Sequence, residues 1–369
     1  MSKAALDPAD FASATAPLGE ATTLPASAYV DEAVYAQEVE RLFRGEWLCA
    51  GRVDQIPDAG DFLCLDLLGD RLVVVRDRDD TIRALSRVCR HRAAELVSGR
   101  GNTRSFQCPY HLWTYGLDGG LVGAPHMEDV PAFDPAKCAL PEIRSEIWEG
   151  FVFVNLDGEA EPLGPRLAPL SALLADYEIG ALVAEETGTY DSSFNWKVLV
   201  DNFMEAYHHI ATHADTLQPI LPATASHVTD AEGPFSVLVM PTSEAGEAVL
   251  PRRSLPGLSP EQQPGLIAAV IFPFHLFAPG PNTTAWYQFL PESVDRFTLR
   301  IYDCVPKDMS EEERAQSHAI LKTIHAQDIG ACEAVMAGLE SGRFDRGPLA
   351  LLEKSIWQFN QWWCERMLR

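Results

Sequence analysis

Two short segments of the chain each place one cysteine close to one histidine. One residue separates Cys89 from His91 and two residues separate Cys108 from His111, so the pattern is Cys-x-His-x16-Cys-x2-His. Two loops that each offer a thiolate and an imidazole can hold a [2Fe–2S] cluster, with both cysteines on one iron and both histidines on the other. This pattern constrains the fold strongly, because two loops of one small domain must meet to complete the site.

Two other interpretations of the four residues remain. A zinc ion accepts two cysteines and two histidines, but zinc fingers usually place both cysteines in one half of the motif and both histidines in the other. Alternatively, the four side chains are buried thiols and surface histidines that bind nothing. Pro109 within one loop, and Gly116 and Gly119 in the adjoining segment, favour a shaped loop pair and therefore the cluster.

Apolar runs of strand length surround these loops. They cover residues 61–67, 71–75, 82–85 and 151–155, and Asp118-Gly119 marks a hairpin between residues 113–117 and 121–123. They predict a small antiparallel β domain over residues 46–156. Residues 1–45 are predicted to form an N-terminal arm and helix: residues 1–25 lack a period and should dock loosely, and a helical period follows from Asp31.

Residues 157–369 mix helical and strand periods and predict a second, larger domain. A Pro-rich linker is expected over residues 161–169, followed by a helix near 170–177. Residues 196–209 have a helical pattern, and strands are expected at 266–277, 284–290 and 297–305. Ser310 and Glu313 form a capping box for a helix that runs to about Leu339, and a last helix covers 351–367. The predicted fold class is therefore α+β.

A second group of histidines follows Asn202 in the pattern Asn-x2-Glu-x2-His-x4-His. Two imidazoles and one carboxylate on one side of Fe(II) leave the opposite face for O2 and substrate. His208 and His213 are five residues apart, which is ~140° around an ideal helix, whereas His209 and His213 lie on one face. Spacing alone therefore leaves His209 as an alternative to His208.

The charge balance and the cysteine count limit the possible partners. Arg and Lys number 29 against 53 Asp and Glu, a formal net charge of −24, which argues against a nucleic-acid-binding surface. No apolar stretch reaches the ~18–20 residues of a membrane helix and no signal-peptide run is visible, so we expect no membrane association and a cytoplasmic location. In a reducing compartment the eight cysteines should be free thiols or metal ligands.

Residues 88–91 and 108–111, together with Trp113-Thr114-Tyr115, resemble the Rieske domain of Rieske-type non-haem iron oxygenases. The resemblance extends from about Leu24 to the C-terminus. It implies that the second domain is a helix-grip catalytic domain, an antiparallel sheet with helices. In this family the residue after His111 is usually Gly, and Leu112 stands there in this chain, so we expect a local adjustment of the loop.

The same resemblance implies the ligands of a mononuclear iron. It assigns His208 rather than His209, with His213, and it places the third ligand at Asp328. From the residues alone Asp328 is an ordinary helical carboxylate, and Asp303 and Asp345 are weaker candidates.

Glu205 and Asn202 have supporting roles in the family. The resemblance implies that Glu205 connects His208, by hydrogen bonds, to a cluster histidine of a neighbouring subunit, and that Asn202 supports this network. A head-to-tail homotrimer is thereby implied. Many aromatic-ring dioxygenases have Asp at this position, whereas Glu is similar to members that act on quaternary ammonium compounds such as carnitine or stachydrine.

The function implied is that of a terminal oxygenase, a mono- or dioxygenase that hydroxylates or N-demethylates a small organic substrate. The chain shows no Gly-rich dinucleotide fingerprint, so electrons from NAD(P)H should arrive through a separate flavin and iron–sulfur reductase. Aromatic-ring or aromatic-acid hydroxylation is one alternative, and an electron carrier without oxygenase activity is another. Aromatic side chains expected to wall the pocket are Phe272, Phe274, His275, Phe277, Trp286, Tyr287 and Phe289.

Overall fold

The computed structural model describes residues 6–230, 232–249, 255–259, 262 and 265–369. The chain divides into two compact units. One unit is Trp47–Ala160, and the other combines Met1–Glu46 with Glu161–Arg369. The N-terminal segment is thus part of the larger unit.

The N-terminal segment differs from the predicted loosely docked arm. Phe11 is buried, its ring centroid lies 5.4 Å from that of Trp363, and the Trp357 indole N–H donates to the Ala16 carbonyl at 2.8 Å. Because only isolated apolar residues of the segment enter the core, its sequence has no period that predicts docking. Its helices are α1 Pro8–Phe11, α2 Ser27–Val30 and α3 Glu32–Glu38, the last continuing through a π-helical turn at Val39–Phe43.

The unit Trp47–Ala160 is an antiparallel β domain, as predicted. A seven-stranded sheet has the order β1-β10-β9-β4-β3-β2-β5, and a three-stranded sheet has the order β6-β7-β8. The strands are β1 Leu48–Arg52, β2 Asp61–Leu67, β3 Asp70–Arg76, β4 Ile82–Ser86, β5 Arg100–Asn102, β6 Phe106–Gln107, β7 Thr114–Tyr115, β8 Leu121–Gly123, β9 Glu142–Trp148 and β10 Phe151–Asn155. The Asp118-Gly119 hairpin joins β7 to β8, and Gly119 adopts the left-handed φ of +84° that such a turn requires.

The larger unit contains a second antiparallel sheet of seven strands, in the order β11-β17-β16-β15-β14-β13-β12. Its strands are β11 Val183–Ser192, β12 His227–Val228, β13 Phe235–Pro241, β14 Gly265–Ile271, β15 His275–Pro279, β16 Thr284–Ser293 and β17 Arg296–Val305. Its helices are α4 Leu163–Leu174, α5 Trp196–Phe203, α6 Glu244–Val249, α7 Glu311–Glu340 and α8 Lys354–Met367. Helix α7 contacts α5 as well as β11 and β17, so it brings side chains to the sheet and to α5 together.

Two predicted elements of this unit are wrong. Residues 163–169 of the Pro-rich segment start α4 rather than forming a linker. Pro165 lies in the first helical turn, where no intrahelical N–H bond is lost, and Pro169 lies inside the helix, where its missing N–H leaves one intrahelical bond unmade. The predicted strand 266–277 is two strands, β14 and β15, joined by a turn around Pro273, which has no N–H for the ladder. The capping box of Ser310 and Glu313 is confirmed at the start of α7. Within the described residues, no helix combines the length and apolarity needed to cross a membrane.

Candidate metal centres

The two loops with the Cys and His pairs have the same turn. The Ala93 N–H donates to the Cys89 carbonyl, and the Leu112 N–H donates to the Cys108 carbonyl, both at 3.0 Å. Ala93 and Leu112 both have left-handed backbone, with φ of +58° and +62°. Glycine adopts the left-handed conformation at the lowest steric cost, which explains why Gly is usual in the family at the position of Leu112. Leu112 nevertheless has the same backbone conformation as Ala93 in the other loop.

The two cysteines are buried and one thiol has a hydrogen-bond partner. Cys89 and Cys108 are 3% and 1% exposed, and the Cys89 sulfur lies 3.3 Å from the Tyr115 hydroxyl. Burial raises the pKa of Cys89, but hydrogen bonds from the Tyr115 hydroxyl and nearby backbone N–H groups outweigh it and lower the pKa. The site therefore favours the thiolate, the form that binds iron.

The two histidines of the loops are held by ring packing. The His91 ring stacks on Trp113, with centroids 4.7 Å apart and planes at 7°, and it lies 4.7 Å from the His111 ring. The buried Nδ1 of His111 has no hydrogen-bond partner among the described residues. Desolvation and the neighbouring His91 lower the pKa of His111, so its ring is neutral. A buried, neutral and unpartnered ring nitrogen fits an atom that binds a metal, and the donor set fits a [2Fe–2S] cluster.

The second site begins where α5 ends. The helix predicted to reach residue 209 stops at Phe203 and is followed by a 3-10 turn over Tyr207–Ile210. The Glu205 carboxylate accepts the backbone N–H of His208 at 2.9 Å, so a side chain replaces an intrahelical acceptor there. This break lets the rings of His208 and His213 face each other, with centroids 5.0 Å apart.

Asp328 on α7 meets these two histidines. The ligand atoms of His208, His213 and Asp328 all lie within 4.8 Å of one another. The Asp328 Oδ1 is 2.9 Å from the His213 Nε2 and 3.5 Å from the His208 Nε2. Burial raises the pKa of Asp328, but the hydrogen bonds with both imidazoles lower it to about 2. Two imidazoles and an ionised carboxylate are the donor set of a mononuclear Fe(II) site.

Each triad imidazole has a partner on its other nitrogen. The Nδ1 of His208 is 2.6 Å from the Glu205 Oε1, and the Nδ1 of His213 is 2.7 Å from the Gln327 Oε1. Both oxygens accept a proton from Nδ1, and each Nε2 would be the nitrogen that binds a metal once the ion replaces the proton shared with Asp328. Gln327 is a residue of this candidate site that the sequence did not single out. Its position next to Asp328, the carboxylate ligand that the resemblance implies, could have indicated it.

The other candidates from the sequence lie elsewhere or lack the expected partners. His209 is 3% exposed, its Nδ1 is 2.9 Å from the Leu221 carbonyl, and burial lowers its pKa to about 4. No described residue hydrogen-bonds the half-buried side chain of Asn202. Asp303, on β17, lies 3.8 Å from His318 of α7, and Asp345 pairs with Arg346, so neither carboxylate belongs to the triad.

Most of the aromatic residues expected to wall a pocket fill the core instead. Phe274 packs against Phe43 and Trp196, and Phe272 packs against Phe359. Tyr287 differs, because its ring lies 5.3 Å from that of Phe203 at the end of α5. Phe203 was not predicted. Its place five residues before His208 becomes informative only once the helix is known to end there.

Models of known families match both parts of the chain. The model described as "Ring hydroxylating alpha subunit (catalytic domain)" matches residues 179–369, and "Rieske [2Fe-2S] domain" matches residues 46–134. A solved structure of a quaternary ammonium Rieske monooxygenase superposes with a TM-score of 0.85 at 24% identity, covering 98% of this chain and 99% of that chain. The fold is therefore the same in both proteins.

Curated relatives have related names. The carnitine monooxygenase oxygenase subunit of Escherichia coli (strain K12) is 38% identical over 192 residues, 51% of each chain. The chloroplastic choline monooxygenase of Arabidopsis thaliana is 28% identical over 360 residues, 93% of this chain and 82% of that protein. The chain spans about half the length of the carnitine monooxygenase subunits that it matches. Because the catalytic-domain model covers more than half of the 369 residues and a Rieske domain precedes it, the chain belongs to the ring-hydroxylating alpha-subunit family of Rieske oxygenases.

Proposed function

We propose that the chain is the terminal component of an oxygenase that hydroxylates or N-demethylates a small quaternary ammonium compound. The proposal depends above all on one observation: the ligand atoms of His208, His213 and Asp328 lie within 4.8 Å in a chain that also has the Cys and His loops. A Rieske electron carrier needs no such triad, so the triad favours an oxygenase over a carrier.

The side chains around the triad orient its ligand atoms for Fe(II). His208, His213 and Asp328 would hold Fe(II), and the ion would supply the activation of O2. Glu205 and Gln327 fix the tautomer and orientation of the two imidazoles, and Asp328 provides the negative charge that offsets the cation. Three protein ligands would occupy one face of the ion, and the opposite face would then be available to substrate and O2.

Glu205 is proposed to connect the triad to an electron source. Its Oε1 accepts from the His208 ring and its Oε2 accepts from the His208 backbone N–H, and each oxygen retains a second lone pair. An imidazole N–H from the cluster of a neighbouring subunit could use that lone pair. We therefore propose a homotrimer in the cytoplasm, supplied with NAD(P)H electrons by a separate flavin and iron–sulfur reductase.

The substrate class is inferred from three features. Most of the curated relatives are named for carnitine, choline or glycine betaine, although one is a putrescine 2-hydroxylase, and this chain has Glu205 where many aromatic-ring dioxygenases have Asp. The rings of Phe203 and Tyr287, 5.3 Å apart, offer aromatic surface to a methylated ammonium by cation–π attraction. The same rings could stack on an aromatic substrate, so aromatic-ring or aromatic-acid hydroxylation is the second candidate.

The test is reconstitution with a compatible reductase. L-carnitine, choline, glycine betaine and benzoate are compared for substrate-dependent O2 consumption and NADH oxidation. Stimulation by the ammonium compounds alone supports the proposal, and stimulation by benzoate alone supports the second candidate. Iron analysis is a second measurement: about three irons per chain indicate an oxygenase and about two indicate a carrier.

A further inference from the structure

His325 is a buried histidine that no part of the described site uses. It lies on α7, three residues before Asp328, and its side chain is fully buried. Its ring centroid is 4.5 Å from that of Tyr190 and 5.8 Å from that of Tyr287. Neither ring nitrogen has a hydrogen-bond partner among the described residues.

A buried imidazole with both nitrogens unsatisfied is unfavourable. Buried polar atoms almost always have a partner, and an apolar side chain of similar shape would avoid the loss. Burial lowers the pKa of His325 to about 4, so the ring is neutral and offers one N–H donor and one acceptor nitrogen. The ring therefore needs a hydrogen-bonding group that the described side chains around it do not provide.

The position of His325 relates this missing partner to the triad. Residues three apart on a helix are neighbours on one face, so His325 and Asp328 lie on the same face of α7. Tyr287 contacts the His325 ring on one side and the Phe203 ring on the other. Phe203 ends α5, the helix that leads to His208. The unsatisfied imidazole thus belongs to the aromatic surroundings of the two elements that supply the triad.

We propose that His325 is a specificity-determining residue that donates a ring N–H to an oxygen of the substrate, either a hydroxyl or a carboxylate. This inference rests on the proposed function, because the substrate is taken to be a methylated ammonium compound that also has an oxygen. Tyr190 and Tyr287 hold the imidazole plane, and the donated hydrogen bond fixes how far the methylated nitrogen lies from the triad.

The test uses the iron-loaded enzyme with its reductase and four probes that differ in their oxygens. L-carnitine has a hydroxyl and a carboxylate, γ-butyrobetaine has the carboxylate alone, choline has the hydroxyl alone, and tetramethylammonium has neither. His325→Phe should raise KM, and the calorimetric Kd, about tenfold for the probes with the accepting oxygen and leave tetramethylammonium unchanged. His325→Gln keeps an N–H donor and should recover part of the loss.

Two further measurements separate this role from a structural one. His325→Phe should leave Tm unchanged or raise it, since an unsatisfied polar group is removed. The matched control is His318→Phe, two turns earlier on α7, where the imidazole Nε2 lies 3.4 Å from a carboxylate oxygen of Glu185 and 3.8 Å from one of Asp303 rather than among the aromatic rings. The control should not change KM for any probe.

The KM, Tm and turnover results distinguish failure of the His325 role from failure of the proposed activity. An equal KM change for all four probes, no change for any, or a lower Tm for His325→Phe would overturn the role of His325 while leaving the oxygenase intact. Binding of the probes with selective loss in His325→Phe, but no turnover by the wild type, would support the role of His325 and overturn the proposed activity. Absence of both binding and turnover in the wild type would overturn both.

Discussion

The two candidate metal centres differ in how far apart their ligands lie along the chain. All four residues of the cluster site come from residues 89–111, on two loops with the same turn. The triad instead joins His208 and His213 to Asp328, a residue of a helix that begins almost a hundred residues later. A local site can be recognised from spacing, whereas a distant ligand must be found by resemblance or by the structure.

The centres also differ in how their imidazoles are held. His91 is exposed and stacks on Trp113, so water can satisfy its outer nitrogen. His213 is 1% exposed, and its Nδ1 needs an internal partner, which is Gln327. A buried ligand depends on its hydrogen-bonding neighbours, because an unmet nitrogen there has no solvent to replace them. The triad should therefore be more sensitive than the cluster to changes in surrounding polar residues.

Removal of a triad ligand has the largest expected effect and tests whether the two centres are independent. His213→Ala should abolish turnover and lose about one iron per chain, because two ligands do not retain Fe(II). The visible absorption of the cluster should remain. His209→Asn is the matched control: its ring contacts the Leu221 carbonyl, so iron content should be unchanged. Loss of cluster absorption in His213→Ala would contradict the separation of the two sites.

Glu205→Gln tests whether the triad depends on its hydrogen-bonding neighbours. The variant replaces the carboxylate that accepts from the His208 Nδ1 at 2.6 Å with a neutral amide. Turnover should fall about ten- to a hundredfold, since partners of metal-bound histidines typically have effects of this size. Steady-state kinetics and iron analysis are the measurements. Glu333→Gln, exposed on α7, should behave as wild type, and equal losses in both variants would argue against a specific role for Glu205.

Sequence reasoning succeeded where the determining interactions are local. The β domain, the Asp118-Gly119 hairpin and the capping box of Ser310 follow from periodicity and turn chemistry over a few residues, and the structure has all three. The pairing of Cys89 with His91 and of Cys108 with His111 is equally local.

It failed where a distant or unusual contact decides the structure. The end of α5 has no Gly or Pro to mark it, and the helix stops because the Glu205 side chain accepts a backbone N–H. Asp328 is one acidic residue among several on α7, and only its meeting with His213 sets it apart. Phe11 gives no period, yet it packs against Trp363.

Asp201→Asn extends the comparison to a buried group near the triad. The Tyr29 hydroxyl donates to Asp201 at 2.7 Å, and burial raises the pKa of Asp201 to about 7 although Tyr29 and Lys197 lower it. This pKa exceeds the unfolded value of about 3.9. Between these two pH values Asp201 is therefore protonated in the folded chain and ionised in the unfolded chain, so the free energy of unfolding falls as pH rises through that range.

The asparagine variant has no proton to lose at this position. The free energy of unfolding of the variant relative to wild type should therefore rise by about 2 kcal/mol between pH 5 and pH 8. Urea unfolding followed by tryptophan fluorescence at both pH values measures it. Asp129→Asn, an exposed carboxylate of the unit Trp47–Ala160, should show no such difference. A relative stability that is independent of pH in Asp201→Asn would mean that Asp201 is ionised in the folded chain.

The smallest effect is expected at Leu112, where the cluster loops depart from the family. Its φ of +62° costs a leucine about 1–2 kcal/mol, and its side chain is 53% exposed, so little packing is lost on removal. Glycine adds unfolded-state entropy of about 0.5–1 kcal/mol, so Leu112→Gly should stabilise the cluster domain by up to about 1 kcal/mol, seen as a higher temperature of cluster loss. Val122→Gly, at a strand residue that is 68% exposed, should destabilise it instead. If Leu112→Gly also destabilises the domain, the leucine side chain makes a contact that outweighs its backbone strain. The exposed cluster loop would then depend on side-chain packing, as the buried triad depends on hydrogen bonds.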